Sequence, residues 1–346
     1  MSGTMSKPDV ALIVGQTEGA TMVSPDEPDT GDKTIPILSH NAMDSLRRYG
    51  EMSPYWDADI EEMRRKLLAS GSVGAVSRME FLVDVTRGEI ERAVAAYGRP
   101  CLQFSGGKDS LACLYLLRPY WDRLTVMWSS RGDAYPEARE LFEDVRRMVL
   151  EVIEVGGDEQ WRAASVNTWP ADSVPARATW FGRMVEPTDE RFGLVNRYDC
   201  CLANFWKPMA EATAAGGFDL VIRGQRDDEA KRAPFASGAT DADGRVYLLP
   251  IQHWTKQDVF AYLQAQGVEI PRQYEYGMAS LDCLHCTAYL DENGGKLRYL
   301  RDFHPESAVE YERRLRLIQS EQERQARLMK IALGELEPVD GEGSGD

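Results

Sequence analysis

A short glycine-rich segment at positions 105–110 constrains the fold and the chemistry of this chain more than any other feature. It follows the apolar run 100–104 and precedes a stretch of helical character. Two adjacent glycines permit a tight turn that brings successive backbone N–H groups near a ligand, and the following helix directs its positive end to the same place. The pattern predicts a cradle for a nucleotide phosphate. Its residues are Ser105, Gly106, Gly107, Lys108, Asp109 and Ser110.

The segment differs from a Walker A loop, which has a longer spacer between its first glycine and its Gly-Lys-Ser/Thr. A glycine-rich turn that only caps a helix is the alternative, but such a turn needs neither Lys108 nor both serines. We therefore interpret Lys108 as a mobile cation and the hydroxyl groups of Ser105 and Ser110 as donors to phosphate.

Length and composition indicate one large α/β domain with accessory elements. The chain has 346 residues, of which 43% are hydrophobic, and this supports a substantial core. It has no apolar run long enough to span a membrane, and its N-terminus lacks the basic-then-apolar order of a signal peptide. We therefore expect a cytoplasmic protein with no membrane partner.

The charge balance bears on the choice of partners. Acidic side chains outnumber basic ones, 56 to 40, which gives a net charge of −16. This argues against broad, sequence-independent binding of nucleic acid, but it does not argue against a local basic groove. Flexible termini and a long charged C-terminal helix are consistent with a homo-oligomer or with a subunit of a complex. The sulfur or electron donor is not identified by the sequence.

Strand and helix patterns alternate along the middle of the chain, which predicts a parallel sheet with helices on both faces. The predicted elements are strands 100–104, 124–129, 151–155, 219–224 and 246–250, and helices 109–118, 135–149, 256–266 and 306–333. Thr255 is the expected N-cap of helix 256–266. The predicted organisation is a flexible segment 1–35, an N-terminal helical region 55–97, a nucleotide-binding α/β domain 98–275, a cysteine-containing segment with a C-terminal helix 276–333, and an acidic tail 334–346.

Four of the six cysteines form two close pairs, Cys200 with Cys201 and Cys283 with Cys286. Four thiolates suit one tetrahedral zinc ion or one iron–sulfur cluster. Zinc ribbons normally use two CxxC pairs, so the vicinal pair favours a cluster. Packing as small apolar side chains is the alternative, and it is the interpretation we favour for Cys101 and Cys113.

Several separate stretches resemble the PAPS reductase family, which includes the APS and PAPS reductases. The loop 105–110 is similar to the SGGKDS loop of PP-loop ATP pyrophosphatases. The other similar stretches are 200–209, 224–232, where Ala230 replaces the usual serine, and 250–263 followed by 270–271 and 280–287. Together they extend over roughly residues 98 to 290. The resemblance implies a Rossmann-like sheet of the adenine nucleotide α-hydrolase type, and a [4Fe–4S] cluster held by Cys200, Cys201, Cys283 and Cys286.

The resemblance also implies an adenine nucleotide, either ATP or APS/PAPS, at the loop and at the basic residues after strand 219–224. Open α/β sheets bind ligands outside the carboxyl ends of their strands, and arginine there can grip phosphate or sulfate. The candidates in that stretch are Arg223, Gly224, Arg226 and Arg232, with a solvated basic patch as the alternative for Lys231 and Arg232. Candidates for a catalytic role are Lys108, Asp109 and Arg226. Asp109 could assist a magnesium ion or simply be a carboxylate at a helix N-terminus.

One departure from the family pattern affects the expected reaction. Sulfonucleotide reductases of this family carry a C-terminal cysteine nucleophile, whereas no cysteine follows Cys286 here. We therefore expect ATP-dependent adenylation and sulfur transfer to an acceptor. In this the chain resembles the DNA phosphorothioation sulfurtransferase, a family member with the loop and the cluster but without the reductase tail. The alternatives are APS or PAPS reduction, and a non-catalytic subunit that binds a nucleotide and a cluster.

Overall fold

A computed structural model of the chain describes residues 78–131, 133–158, 168–186, 192–227, 229, 236–281 and 283–338. The predicted segment 1–35, residues 55–77 of the predicted helical region and residues 339–346 of the predicted tail lie outside these ranges. The strands are β1 (Pro100–Phe104), β2 (Thr125–Ser129), β3 (Glu151–Val155), β4 (Thr168–Ala171), β5 (Gly193–Asn196), β6 (Leu220–Ile222) and β7 (Val246–Leu248).

Five of these strands form a parallel sheet in the order β3-β2-β1-β6-β7. This confirms the predicted α/β class. The strand order changes direction between β1 and β6, because β2 and β3 extend the sheet on one side of β1 while β6 and β7 extend it on the other. In open α/β sheets this switch point is where ligands bind, next to the carboxyl ends of the strands. The loops that follow β1 and β6 therefore define the expected site.

Helices cover both faces of the sheet. They are α1 (Arg78–Ala96), α2 (Lys108–Leu116), α3 (Pro136–Arg146), α4 (Trp180–Val185), α5 (Arg197–Cys201), α6 (Lys207–Ala215), α7 (Lys256–Ala265), α8 (Lys296–Phe303) and α9 (Pro305–Ala332). Leu102 and Val126 pack in the large cluster on one face, with side chains from α1, α2, α3 and α7. Cys101 and Met127 pack on the other face with Met209 of α6. The alternation of side chains along each strand thus fills two apolar layers.

Two helix starts agree with local signals in the sequence. The helix that begins after Thr255 has the expected cap, since the Thr255 hydroxyl accepts a hydrogen bond from Asp258 N at 3.2 Å and Asp258 Oδ2 accepts one from Thr255 N at 2.8 Å. This reciprocal arrangement is a capping box. The predicted helix 306–333 is α9, which starts at Pro305, where a proline is well suited to the first turn.

The structure also contains elements that the sequence did not predict. β4 and β5 pair in a separate two-stranded parallel sheet. Both are four residues long, and β4 includes Pro170, a residue that argues against a strand in sequence-based prediction. A π-helical turn, Leu202–Trp206, joins α5 to α6, and Lys207 N in it donates to Leu202 O, five residues earlier. Within the described residues, no helix is both long and apolar enough to cross a membrane.

Gly224 allows the loop after β6 to lie against the first turn of α2. A Cβ atom at this position would lie 2.7 Å from the backbone carbon of Asp109 and 2.9 Å from Ser110 N. Both neighbours are backbone atoms at the start of a helix, so neither can rotate away as a flexible side chain would. The close approach therefore requires glycine for steric reasons.

We expect Gly224→Ala to destabilise the protein by about 1–3 kcal/mol, since its methyl group must displace backbone atoms in a packed region. Gly156→Ala is the matched control, because a Cβ there meets nothing within 4 Å. Urea denaturation of both variants measures the difference. Equal stability of the two variants would contradict the steric account of Gly224.

Candidate functional site

The loop after β1 is held in shape by its own serines. Gly106 has φ +78°, in the left-handed region that favours glycine. Ser110 Oγ donates to Gly107 O at 2.9 Å and accepts from Ser105 N at 3.2 Å, and the two serine hydroxyls lie 3.2 Å apart. Gly107 N donates to Ser105 Oγ at 3.3 Å. The two serines thus stabilise the turn itself. Helix α2 begins within the same segment, at Lys108.

The three candidates for catalysis form one charge network. Lys108 Nζ lies 2.6 Å from Asp109 Oδ2, and Arg226 Nε lies 2.7 Å from Asp109 Oδ1. The side chains of Lys108 and Arg226 are 8% and 4% exposed, so water screens these contacts poorly. Both carboxylate oxygens of Asp109 already accept from a cation. A magnesium ion on Asp109 would require one of these contacts to open.

A cavity of about 210 Å³ lies at the carboxyl ends of β1, β2 and β6. We call it the loop cavity. Its polar lining consists of Gln103, Ser105, Asp109, Ser110, Ser129, Ser130, Arg131, Arg223, Gln225 and Glu229. Ser129 Oγ and Gln225 Oε1 are buried and have no hydrogen-bond partner among the described residues. Buried polar atoms normally have partners, so these two atoms indicate a polar ligand in the cavity.

Arg223 brings a positive charge to the loop cavity. It is half-buried and forms no ion pair with any described residue. Burial lowers the pKa of its guanidinium, while Tyr247 and Glu229 act in the opposite direction. A guanidinium in this position suits a phosphate or sulfate, which it can bind through two parallel hydrogen bonds.

The structure brings most of the predicted nucleotide residues together. Ser105, Asp109, Ser110, Arg223 and Gly224 line the loop cavity. Lys108 lines an adjoining cavity. Arg226 lies behind Asp109 and lines the same adjoining cavity. Arg232 and Lys231 lie outside the described residues. That these residues contact a nucleotide remains a prediction.

All four predicted metal ligands line a second cavity, of about 200 Å³, which we call the cysteine cavity. Cys200 and Cys201 come from the end of α5, and Cys283 and Cys286 from the loop before α8. All four are free thiols. Burial raises the pKa of the Cys200 thiol to about 12, and the neighbouring Cys201 and Cys286 act in the same direction. A positively charged inorganic centre would offset this mutual repulsion between thiolates.

The wall of the cysteine cavity bears on the kind of group that it could hold. Within the described part of the chain, no group of three or more His, Cys, Asp or Glu side chains is arranged to hold a metal ion. The four cysteines line a cavity whose wall also contains Arg131, Arg197 and Arg314. A [4Fe–4S] cluster with four thiolate ligands is bulky and carries net negative charge, so a roomy cavity with guanidinium groups in its wall fits it.

Lys296 holds the Cys283–Cys286 turn and was not found from the sequence. Its buried ammonium donates to Cys283 O at 2.8 Å and to Cys286 O at 3.0 Å. No motif marks this lysine, because it stands ten residues after Cys286 in an ordinary helical pattern. It contacts backbone atoms, so we interpret it as a positioning residue.

A pair of polar side chains fixes the other side of the same turn. Asp133 accepts from His285 N at 2.9 Å and lies 3.0 Å from His285 Nδ1. Burial alone would raise the pKa of Asp133, but the hydrogen bonds from His285 and the charge of Lys296 outweigh it and hold the pKa below its ordinary value. Asp133 thus remains ionised and anchors the turn to the loop after β2.

A third cavity, of about 450 Å³, lies between the other two, and we call it the middle cavity. Cys201 and Tyr289 line both it and the cysteine cavity, while Asp109 and Glu229 line both it and the loop cavity. Two residues, Arg131 and Phe205, line all three cavities. The three cavities are therefore contiguous.

Arg131 stands where the three cavities meet. Its backbone has φ +49°, a left-handed conformation that is uncommon for a residue other than glycine. Its guanidinium carbon lies 4.3 Å from the centre of the Phe205 ring. Strained backbone of this kind is typical of functional sites. Its position just after the carboxyl end of β2 is the sequence signal that could have identified it.

Comparison with known proteins agrees with this architecture. The phosphoadenosine phosphosulfate reductase domain matches residues 99–289, which is more than half of the chain. The chain belongs to the phosphoadenosine phosphosulfate reductase family. The matched residues of this family member include the loop after β1, the charge network and all four clustered cysteines.

Relatives of this family member are distant. Two of them, each named sulfate adenylyltransferase subunit 2, from Mycobacterium sp. strains JLS and KMS, are 25% identical over 202 residues, or 54% of this chain. The match spans 60% of the length of each relative. 

The similar solved structures share less sequence identity with this chain. A phosphoadenylyl-sulfate reductase from Candida auris has a TM-score of 0.42 and 14% identity, over 62% of this chain and 98% of that one. The U34-tRNA thiolase NcsA from Methanococcus maripaludis, solved with its [4Fe–4S] cluster, has a TM-score of 0.37 and 14% identity, over 70% and 82% of the two chains.

We expect Lys296→Met to destabilise the protein by about 1–3 kcal/mol, because two buried carbonyl groups lose their donor. Lys207→Met is the matched control, since Lys207 is 59% exposed and its nearest ionic partner is Glu211, at 3.9 Å. Urea denaturation of the metal-free protein measures the effect without any contribution from a bound cluster. A Lys296→Met variant as stable as Lys207→Met would show that the lysine does not hold the turn.

Proposed function

We propose that this chain is an ATP-dependent adenylating enzyme that transfers sulfur to an acceptor, with a [4Fe–4S] cluster beside the nucleotide. The observation that carries this proposal is the contiguity of the three cavities. ATP with magnesium would occupy the loop cavity, the acceptor would enter the middle cavity, and the cluster would occupy the cysteine cavity. Each reacting group would then lie next to the group with which it reacts.

The first step is adenylation. An acceptor oxygen attacks the α-phosphorus of ATP, a bond forms between that oxygen and phosphorus, and the bond from phosphorus to the bridging oxygen breaks, so that pyrophosphate leaves. The guanidinium of Arg223 stabilises the charge on the leaving pyrophosphate. Lys108 and Arg226, held in place by Asp109, face the reacting phosphate from the middle cavity. The name of the relatives, sulfate adenylyltransferase subunit 2, supports the adenylation step.

The second step replaces AMP by sulfur. A hydrosulfide-level donor attacks the activated acceptor atom, a bond to sulfur forms, and the bond to the adenylated oxygen breaks with release of AMP, so no net electron transfer is required. Cys200, Cys201, Cys283 and Cys286 would hold the cluster. With four protein thiolates as ligands it would supply a local electrostatic field beside the reacting groups. Arg131 lines all three cavities and would bind the hydrosulfide-level donor next to the activated acceptor.

Reduction of APS or PAPS is less well supported than sulfur transfer. All six cysteines of the sequence lie in the described part of the chain. Cys101 and Cys113 are fully buried, and burial raises the pKa of both thiols, so neither is a nucleophile. The remaining four line the cysteine cavity. A reductase would have to release one of these four as its attacking thiol.

Product analysis tests the proposed reaction. We expect the protein, purified without oxygen, to contain iron and sulfide and to convert ATP slowly to AMP and pyrophosphate. Lys108→Met should reduce this turnover at least tenfold, because it removes a buried cation from the phosphate site, whereas Lys207→Met should retain it. Chromatography of the nucleotides and colorimetric iron and sulfide assays give the readouts.

The other outcomes are equally informative. Formation of ADP and phosphate would contradict adenylation. Sulfite release from APS or PAPS with a supplied thiol would identify a reductase. ATP binding without turnover would identify a non-catalytic subunit, and Cys283→Ser with unchanged iron content would remove the cluster from the proposal.

A further inference from the structure

Aromatic side chains form much of the wall of the middle cavity. They are Tyr198, Phe205, Trp206, Tyr274 and Tyr289. Tyr274 OH accepts from Lys108 N at 2.8 Å and Tyr289 OH lies 3.3 Å from Cys201 Sγ, so these two rings belong to the loop and to the cysteine pair, and it is Tyr198 and Trp206 that need another explanation. The rings of Tyr198 and Trp206 are stacked, with centroids 6.1 Å apart and planes inclined by 19°. These two side chains are 44% and 41% exposed and line the middle cavity, so their rings are accessible from it.

The exposed pair is positioned relative to the cysteines by a single short stretch of helix. Tyr198 lies in α5, two residues before Cys200, and Trp206 ends the π-helical turn that follows Cys201. Arg197 holds this wall from the side, with its guanidinium carbon 5.0 Å from the Tyr198 ring and 4.7 Å from the Tyr289 ring. A molecule stacked on the pair would therefore lie beside the cysteine cavity.

The charge of the middle cavity favours an uncharged ring over a polyanion. Its charged lining consists of four cations, Lys108, Arg131, Arg226 and Lys256, and three carboxylates, Asp109, Glu229 and Glu292. Two of those cations are already engaged by Asp109. Ser280 and Glu292 add groups that can donate to or accept from the edge of a ring. A planar ring with polar edges matches a cavity whose wall offers aromatic rings for stacking and polar side chains for hydrogen bonds.

We propose that the middle cavity is the acceptor subsite and that it takes a planar heteroaromatic ring, a nucleobase, stacked on the ring of Trp206, which Tyr198 supports from its other face. The proposal rests on the proposed function, because it names the class of acceptor that the adenylated site would modify. The cavity of about 450 Å³ is within the usual size range for small-ligand sites. Asp109 lines both this cavity and the loop cavity, and Cys201 lines both this cavity and the cysteine cavity, so a ring bound here would lie between the two.

A base could come from a free nucleotide or from a single-stranded nucleic acid, since both present the same ring. The net charge of −16 disfavours long electrostatic contacts with a nucleic acid backbone, so the ring must supply much of the affinity. The two sources are separated by measuring binding of uridine 5′-monophosphate and of a short single-stranded oligouridylate to the full chain. A non-hydrolysable ATP analogue fills the loop cavity in one series and is omitted in the other.

Three variants test the stacking. Trp206→Ala should weaken binding of the preferred probe roughly tenfold or more, because base stacking on an aromatic side chain is lost, and Trp206→Phe should retain most of it. Trp180→Ala is the matched control, since Trp180 is 59% exposed on α4 and does not line the middle cavity. Calorimetry gives the affinities. ATP affinity and iron content, measured on the same samples, should be the same in all variants.

The results separate this proposal from the proposed function. Tighter binding of the oligouridylate than of the mononucleotide, or the reverse, would support the subsite and identify its source. Equal affinity of Trp206→Ala and wild type would overturn it. Failure of wild type to bind either probe would also overturn it and would leave the exposed rings to a protein partner. Loss of ATP binding or iron, with nucleobase binding intact, would count against the proposed function alone.

Discussion

The ion pair between Asp109 and Arg226 joins the two loops on which the site depends. Asp109 lies in the first turn of α2 after β1, and Arg226 follows β6, so the contact crosses the switch point of the sheet. The pair is mostly shielded from water, and removal of one partner would leave an uncompensated charge in a poorly solvated place. Gly224 makes the contact sterically possible by letting the second loop lie on the first turn of α2. The loop cavity, the charge network and the middle cavity all take their shape from this junction.

The parts of the fold that were predictable from the sequence are those determined by local signals. The strand 100–104 and the strand 151–155 were predicted with their observed bounds, because apolar runs between helical patterns are typical of buried parallel strands. The N-cap at Thr255 was predictable because capping depends on residues a few positions apart. β4 and β5 were not, since each is short and Pro170 argues against a strand.

The candidate site divides in the same way. The glycine-rich loop and the two cysteine pairs have recognisable spacing, and the structure brings each group to its own cavity. Lys296 and Arg131 have no such spacing, because their roles depend on contacts between residues far apart in the chain. From its sequence context Lys296 resembles a surface lysine, but in the fold it is buried and donates to two carbonyl groups. The middle cavity is lined by residues spread from Lys108 to Glu292, so no linear pattern describes it.

The π-helical turn between α5 and α6 has a consequence for how such proteins can diverge. Because Lys207 N bonds to Leu202 O across five residues, the turn holds one residue more than a regular helical turn would. Loss of that extra residue would rotate Phe205 and Trp206 away from their present direction while Cys200 and Cys201, which precede the turn, would keep theirs. The cysteine pair and the two aromatic rings are thus encoded by adjacent but separable stretches of the chain. A single insertion or deletion in the turn could change the wall of the middle cavity and leave the position of the cysteine pair unchanged.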